Sequence, residues 1–427
     1  MGMGSAAAGK VRAESSASPP ETPSAVTSIP KADGHIQRNK RRIHETDFRM
    51  EIVTDHARLQ EIIPQWSELA SRSIEPNPFY EHWFVLPALR HFPHDPGLRF
   101  ILIWQSGLRP GESEKLVAMF PLQRQHKTWQ QPLNCDRLWQ HDYTYLCTPL
   151  VDSENTAIIL TEFFKWTRTT ACGASFLELP HIHGEGPFQH ALLEAMERQS
   201  VFSLVSHQYG RALFRRAASA EIYLDQATTS HHRQELRRQR RRLAEQGQFE
   251  TLELNAGENV DPWVDLFLQL EGGGWKGQQQ TALSSLSHHA QWFRDVCRAA
   301  QERGQLMMLG LFLNGQAIAV KCNFLAGDGG FTFKIGFDEA YAKFSPGVQL
   351  EIENIGFAHQ KPDLNWLDSC AAPGHFMISR LWPERRTIQR LLVSTGRWGD
   401  LSMAARFGLR ALRRVIKPPQ QTAMAEN

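Results

Sequence analysis

Residues 331–382, FTFKIGFDEAYAKFSPGVQLEIENIGFAHQKPDLNWLDSCAAPGHFMISRLW, decide the fold of this chain. A strand-like stretch runs into the turn Ser345-Pro346-Gly347, the turn opens a helix, and the helix leads to a second strand that ends at Asp368. Proline suits the first helical position, and serine suits the cap before it. Backbone N–H groups at a helix N-terminus are unpaired and attract anions, so the layout predicts a site for a phosphate-bearing cofactor. The alternative is an ordinary capped helix.

Composition limits the classes of protein to consider. At 427 residues the chain is long enough for two domains, and its net charge of +2 gives no overall field that would select nucleic acid or membrane. The 6 cysteines form no CxxC pair, which is typical of reduced thiols in a cytosolic protein and excludes a zinc ribbon. We find neither an 18-residue apolar run nor a secretory apolar core, and therefore predict a cytoplasmic protein without a membrane span, with a location peripheral to the inner membrane face as the alternative.

The order of predicted elements indicates how the chain is organised. Residues 1–45 are rich in Ala, Ser, Pro and Gly, and this composition predicts a disordered tail. After the tail, a series of hairpin, strand, helix, strand, helix and strand recurs about 200 residues later. We therefore predict a first α/β unit at 46–215, a second at 216–400, and a basic helix with a tail at 401–427. The detailed assignments include strands at 143–151 and 221–225 and a helix at 375–387.

Three segments carry a resemblance to a known family. They are EGGGWKGQQQTAL (271–283), FKIGFDEAYAKFSPG (333–347) and LDSCAAPGHFMISRLWPERR (367–386). As a set they resemble the acetyltransferase-6 branch of the GNAT acyltransferase superfamily, which includes acyltransferases of cellulose and exopolysaccharide biosynthesis and is related to FemAB-type transferases. The resemblance is close over roughly 225–390 and general over 50–220. It implies an α/β fold of two tandem GNAT-like units, with mixed sheets flanked by helices, and an acyl-CoA donor.

The resemblance also implies where acyl-CoA would bind. In such folds two neighbouring parallel strands splay apart, here 331–338 and 364–369, and the pantetheine arm runs between them to a helix N-terminus that meets the pyrophosphate. The cofactor-binding residues implied are Lys334, Lys343, Ser345, Gly347 and Val348. The usual loop is longer and rich in Arg and Gln, and Pro346 has no N–H to offer, so fewer donors face the phosphate than in the family pattern.

The first unit has no corresponding turn. Its strand is followed by Asp152-Ser153-Glu154, which is acidic and would repel a pyrophosphate. We therefore predict that the first unit holds no cofactor and forms one wall of the acceptor cleft.

Candidate catalytic and substrate-binding residues come from the same segments. Asp368 at a strand end, or His375 after it, could accept a proton from an amine or hydroxyl acceptor. The alternatives are an ion-pair partner, for instance of Arg380, and a histidine at a helix start. The lysines Lys321 and Lys334 lie within predicted strands, and each needs a partner or a ligand. The candidates for substrate binding are Trp275, Lys276, Asp338 and Arg380, and no metal is implied.

Two basic helices complete the pattern. Residues 231–247 carry six arginines between 233 and 242, and 399–416 combine apolar residues with arginines. The candidate partner of both helices is a polyanion or an anionic membrane surface. The alternative is a solvated charged face for 231–247 and a helix docked on its own domain for 399–416.

The sequence as a whole predicts transfer of an acyl group to an amine or hydroxyl of a sugar, a lipid-linked saccharide or an amino compound. The pathway expected is polysaccharide or cell-envelope biosynthesis. The alternatives are an aminoacyl-tRNA-dependent transferase of the FemAB kind and a non-catalytic scaffold in a polysaccharide-synthesis complex.

Overall fold

The structure is a computed structural model that describes residues 47–93, 96–107, 113–128, 132–274 and 279–416, with only the backbone for 409–416. The predicted disordered tail lies outside these residues. The folded part of the chain is a single compact unit within 45–427. We refer to residues 48–215 as the first half and to 220–394 as the second half.

The first half contains seven strands and five α-helices among the described residues. The strands are β1 (Phe48–Val53), β2 (Leu98–Gln105), β3 (Lys115–Gln125), β4 (Cys135–Leu138), β5 (Leu150–Val151), β6 (Phe176–His183) and β7 (Ser203–Arg215). The helices are α1 (His56–Glu61), α2 (Ile63–Ser71), α3 (His82–His91), α4 (Thr156–Thr167) and α5 (Pro187–Arg198).

The second half repeats this order of elements. Its strands are β8 (Phe249–Glu253), β9 (Leu306–Leu313), β10 (Gln316–Ala326), β11 (Gly329–Phe337), β12 (Trp366–Asp368) and β13 (Glu384–Ser394). Its helices are α6 (Ala220–Ala227), α7 (Ser230–Ala244), α8 (Asp261–Gly273), α9 (Ser287–Glu302), α10 (Pro346–Gln360) and α11 (Ile378–Leu381), and α12 (Arg397–Ile416) follows.

All of these strands join one 13-stranded mixed sheet, which confirms the predicted α/β class. The order across the sheet is β1-β2-β3-β4-β6-β13-β7-β12-β11-β10-β9-β8, with β5 paired to β3. The order is symmetric about its centre, since β1 to β4 mirror β8 to β11, and β6 mirrors β12. The parallel pairs are β4 with β6 and β11 with β12, one in each half.

The last strands of the two halves are exchanged at the centre of the sheet. β13 from the second half lies between β6 and β7, and β7 from the first half lies between β13 and β12. Each half therefore completes its sheet with a strand from the other. The predicted unit boundaries remain a prediction, but the two halves share hydrogen-bonded strands and are not separate sheets.

Apolar burial on both faces explains why these stretches form sheet and helix. β2 and β3 are buried along nearly their whole length, as expected for strands covered on both sides. Trp66, Trp292 and Trp382 are fully buried, and the Phe120 ring stacks on Phe163 with centroids 3.9 Å apart. Burial of such aromatic surface is the main stabilising term of the fold.

Three predicted elements are wrong. Residues 221–225 form helix α6 because the Ser219 hydroxyl accepts the N–H of Ile222 and opens a helix there. Most of 143–151 is irregular, and only Leu150–Val151 is strand. The predicted helix 375–387 is reduced to the short α11, because from Glu384 the chain pairs with β7.

Candidate active site

A cleft opens where β11 and β12 separate. Their last parallel pair is Phe331 with Asp368; β12 ends there, whereas β11 continues to Phe337. A β-bulge lies beside this point: Cys322 of β10 faces Lys334, but the next residue, Asn323, faces Thr332, so β11 carries one extra residue. A bulge bends the strand that carries it, and this bend favours the opening. The predicted splaying of these two strands is thus observed.

The cleft contains a cavity of about 200 Å³. It is lined by Tyr145, Lys321, Thr332, Phe333, Lys334, Ile335, Glu351, Ser369, Cys370, Ala371, His375, Met377 and Ile378. Most of these residues belong to the second half, but Tyr145 comes from the loop between β4 and β5. The prediction that the first half supplies one wall of the cleft is consistent with this contribution.

Both strand lysines have carboxylate partners. The Lys321 Nζ lies 2.7 Å from Glu351 Oε2, and the Lys334 Nζ lies 2.9 Å from Glu271 Oε1. Both glutamates are buried, and buried charges persist in proteins when they are paired in this way. The lysines bring two ammonium groups to the cavity without adding net charge to it, since each is neutralised by its glutamate.

The turn before α10 lies against the cleft. A Cβ added to Gly347 would stand 3.5 Å from the Phe337 ring and 3.8 Å from Met377 Sδ, so this glycine faces the end of β11. α10 begins at Pro346 as predicted. Ser345, however, has a left-handed backbone (φ 53°) and makes no side-chain cap, which corrects the predicted capping role.

Few backbone donors remain at this helix start. Pro346 has no N–H, and the N–H of Val348 donates to the Ser345 carbonyl at 2.9 Å. The Gly347 N–H is the donor that remains for a ligand in the first turn. The shortage of donors expected from Pro346 is therefore present. Lys343 lies at the end of the preceding 3₁₀ turn with its ammonium 4.9 Å from the Phe344 ring centroid.

The two candidate bases have different surroundings. His375 lines the cavity and is exposed; it precedes α11 and does not open a helix as predicted. Asp368 ends β12 as predicted, but its side chain is fully buried and is not among the cavity residues. Its oxygens accept from Arg386 at 3.0 Å, from Arg211 at 3.5 Å and from the N–H of Cys370 at 2.8 Å.

The symmetry of the sheet gives Asp368 a counterpart in the first half. Asp368 faces Leu213 of β7 and pairs with Arg211, two residues earlier; Glu178 faces Leu392 of β13 and pairs with Arg390, also two residues earlier. The same carboxylate–arginine pair thus joins each half to the exchanged strand of the other. Its recurrence favours a structural role for Asp368.

The remaining predicted residues are distributed as follows. Asp338 caps the 3₁₀ turn through Ala340 N–H and lines another cavity, beside the end of α8. Arg380 is exposed on α11 and does not pair with Asp368, whose partners are Arg211 and Arg386. Trp275 and Lys276 lie outside the described residues.

Sequence reasoning missed Tyr145, Glu351 and Cys370. The sequence contains a partial signal for Glu351, since it lies between the apolar residues Leu350 and Ile355. The sequence contains no signal for Tyr145, because its position at the cleft depends on how the two halves pack together.

Comparison with known proteins relates the chain to one domain family and to several solved structures. Residues 230–376 match the family described as an acetyltransferase (GNAT) domain. No curated protein matches the sequence. Among solved structures the chain is similar to FemX, with a TM-score of 0.52 and 9% identity, over 80% of this chain and 96% of that one. This similarity shows the fold.

Two further solved structures are similar over most of their length. The C-terminal domain of a putative lysylphosphatidylglycerol synthetase from Agrobacterium fabrum has a TM-score of 0.46 and 12% identity, over 83% of this chain and 96% of that one. A tandem GNAT protein from the clavulanic acid biosynthesis pathway has a TM-score of 0.40 and 12% identity, over 81% and 98%.

Proposed function

We propose, from the match of residues 230–376 to the acetyltransferase (GNAT) domain family, that the chain transfers an acyl group from acyl-CoA to an amine or hydroxyl acceptor. The observation that supports this most directly is the cleft between β11 and β12, since Gly347 on the first turn of α10 lies against Ile335 and Met377 of its lining. The cleft offers a channel for the pantetheine arm, and the helix start offers a positive dipole end for the pyrophosphate. The acceptor proposed is a sugar, a lipid-linked saccharide or an amino compound of polysaccharide or envelope biosynthesis.

In the proposed reaction the acceptor attacks the thioester carbonyl directly in a ternary complex. His375 accepts the acceptor's proton, since its imidazole lines the cavity and imidazole is the side-chain group that most often transfers protons near neutral pH. Asp368 acts as a positioning residue that holds Arg211, Arg386 and the start of the loop after β12. The C–S bond of the thioester breaks as the new amide or ester bond forms, CoA leaves as a thiolate, and the proton held by His375 passes to that thiolate or to solvent.

Mass spectrometry of the native purified protein tests the donor, because a bound acyl-CoA would co-purify with it. Titration calorimetry with CoA then tests the site. We expect Gly347→Asp to weaken CoA binding at least tenfold, since its carboxylate would repel the pyrophosphate. The added Cβ meets only ordinary contacts, but Gly347 is buried, so thermal unfolding of the variant checks that the fold is retained. Unchanged affinity would remove the phosphate site from this turn.

His375→Gln and Asp368→Asn separate the two candidate bases once an acceptor is found. Loss of turnover with unchanged CoA affinity in His375→Gln supports the assignment. CoA binding with no turnover on any saccharide or amine would favour the non-catalytic scaffold.

A further inference from the structure

Four arginines lie on one face of the sheet near its symmetric centre. In β13, Arg386 faces Arg211 of β7, and Arg390 faces His207. Side chains separated by an even number of strand positions share a face, so all three arginines and His207 project to the same side. Arg137 of β4 joins them through Glu178, which it contacts at 2.8 Å. We call these four side chains the arginine strip.

The strip has more positive charge than its carboxylates neutralise. Arg137 and Arg390 share Glu178, and Arg211 and Arg386 share Asp368. Four guanidinium groups thus face two carboxylates. The nearby carboxylate of Glu75 is engaged elsewhere, since it accepts the N–H of Phe188 at the start of α5 and contacts His183.

The pKa of a partly buried histidine, His181, reflects this excess of positive charge. The pKa of His181 is lowered to about 4, first by burial and then by Arg211, Arg390, His207 and Arg137. Its Nδ1 is buried and has no hydrogen-bond partner among the described residues. Cations from β4, β7 and β13 therefore act together at this point of the sheet.

The strip runs from solvent toward the cleft. The exposed fraction of the side chain is 41% for Arg390, 32% for Arg137, 11% for Arg386 and 3% for Arg211. At the inner end, Arg211 donates to the carbonyl of Tyr145 at 2.8 Å, and Tyr145 lines the cavity of the cleft. An elongated molecule bound along the strip could thus have one end in solvent and the other at the cleft.

We propose that the arginine strip binds an anionic group, a phosphate or a carboxylate, of the acyl acceptor. This inference rests on the proposed acyltransferase function and specifies the acceptor that it uses. Arg390 and Arg137 offer guanidinium N–H groups beyond those used by Glu178, and guanidinium is the side-chain group best matched to such oxyanions. His207, exposed beside Arg390, completes the open end.

Calorimetric titration of the full chain with inorganic pyrophosphate, and in parallel with succinate, tests the strip and distinguishes the two anion classes. The titrations are made at low salt on protein saturated with CoA and on the Gly347→Asp variant, so that the phosphate site of the donor does not contribute. We expect Arg390→Gln and Arg137→Gln each to weaken binding of the preferred anion at least tenfold.

Arg385→Gln is the matched control. Arg385 is exposed on the same strand but faces Ala212 on the other side of the sheet, where it packs over Gly210. Its removal should leave anion binding unchanged, and thermal unfolding verifies that all three variants fold. The proposal is overturned if the wild-type chain binds neither anion, or if Arg385→Gln loses as much affinity as Arg390→Gln.

The two proposals fail in different ways. Anion binding that depends on Arg390 in a protein with no affinity for CoA would retain the strip and reject the acyltransferase. CoA binding without anion binding would retain the acyltransferase and reject the strip as an anion site.

Discussion

The role assigned to Asp368 changes once the partners of its side chain are known. At the end of a strand in an α/β protein it is a natural candidate base. In the structure its carboxylate is enclosed by Arg211, Arg386 and a backbone N–H, and the pair recurs at Glu178 where no cofactor is expected. The sequence indicated its position correctly but contained no signal for its partners, which come from strands about 150 residues away and from β13.

We expect Asp368→Asn to destabilise the fold by about 3–5 kcal/mol, because it leaves a buried guanidinium without its counter-charge. Glu178→Gln should cost less, since its arginine partners are partly exposed and better solvated. Urea unfolding of both variants measures the difference. An Asp368→Asn variant that unfolds like the wild type and loses turnover roughly a hundredfold would instead identify Asp368 as the base.

His82 predicts a pH dependence of stability. It is buried, and burial followed by the charge of Arg303 lowers its pKa to about 4 from an ordinary 6.5. The unfolded chain therefore binds a proton between these values that the folded chain does not, so stability is full above about 6.5 and falls as the pH drops toward 4. The slope from this residue is about 1.4 kcal/mol per pH unit.

Chemical denaturation between pH 7 and 4 checks this expectation. His82→Gln should lose less stability over the range than the wild type, though not none, because His181 has a similarly lowered pKa. Parallel pH profiles for the two proteins would show that protonation of His82 does not change the free energy of unfolding.

At the scale of elements, α7 shows what periodicity can and cannot establish. Leu236 and Leu243 are buried and define the packed side of this helix. Two of the arginines expected on the charged side have structural contacts, since Arg233 donates to carbonyls at the end of α6, and Arg240 pairs with Glu353. Arg237 and Arg242 are exposed, and so remain available to a partner.

If α7 contacts a polyanion, changing Arg237, Arg238, Arg241 and Arg242 to Gln should flatten the salt dependence of binding to tRNA or to anionic vesicles. All four are exposed, so the fold should be retained. Binding to tRNA would favour the aminoacyl-tRNA alternative, and binding to vesicles would favour a peripheral membrane location. No affinity for either at low salt would show that α7 is a solvated face.

α12 is a second helix for which we predicted contact with an anionic membrane surface. It spans Arg397–Ile416, and Trp398 and Leu401 are among the most exposed large apolar residues of the described chain, whereas Met403 is buried. No helix among the described residues has the length and apolar character to cross a bilayer. Contact with an anionic surface through 399–416 remains a proposal.

At the scale of the whole molecule, the exchange of β7 and β13 is the feature that sequence could not predict. Strand patterns in 201–209 and 389–395 were visible, because alternation and β-branched residues act locally. The choice of neighbour is not local: β13 pairs with β6 and β7, which lie almost 200 residues earlier. The repeated order of elements was therefore predictable, but the sharing of one sheet by both halves was not.

We expect the predicted first unit, 46–215, not to fold alone. Without β13, both β6 and β7 lose an entire hydrogen-bonded neighbour, and β7 also loses β12. Circular dichroism of the isolated fragment should show no cooperative unfolding, whereas co-expression with 216–427 should restore a stable complex. A soluble fragment that unfolds cooperatively would show that the halves are independent domains.

The exchange of β7 and β13 also determines when the sheet can form during synthesis of the chain. The ribosome releases the first half long before β13, and strands that lack their neighbour expose hydrogen-bonding edges prone to aggregation. The edge of β6 stays open until Ser394 has been translated. Residues up to Ser394 must therefore leave the ribosome before the sheet can close, and until then the unpaired edge of β6 is exposed to aggregation.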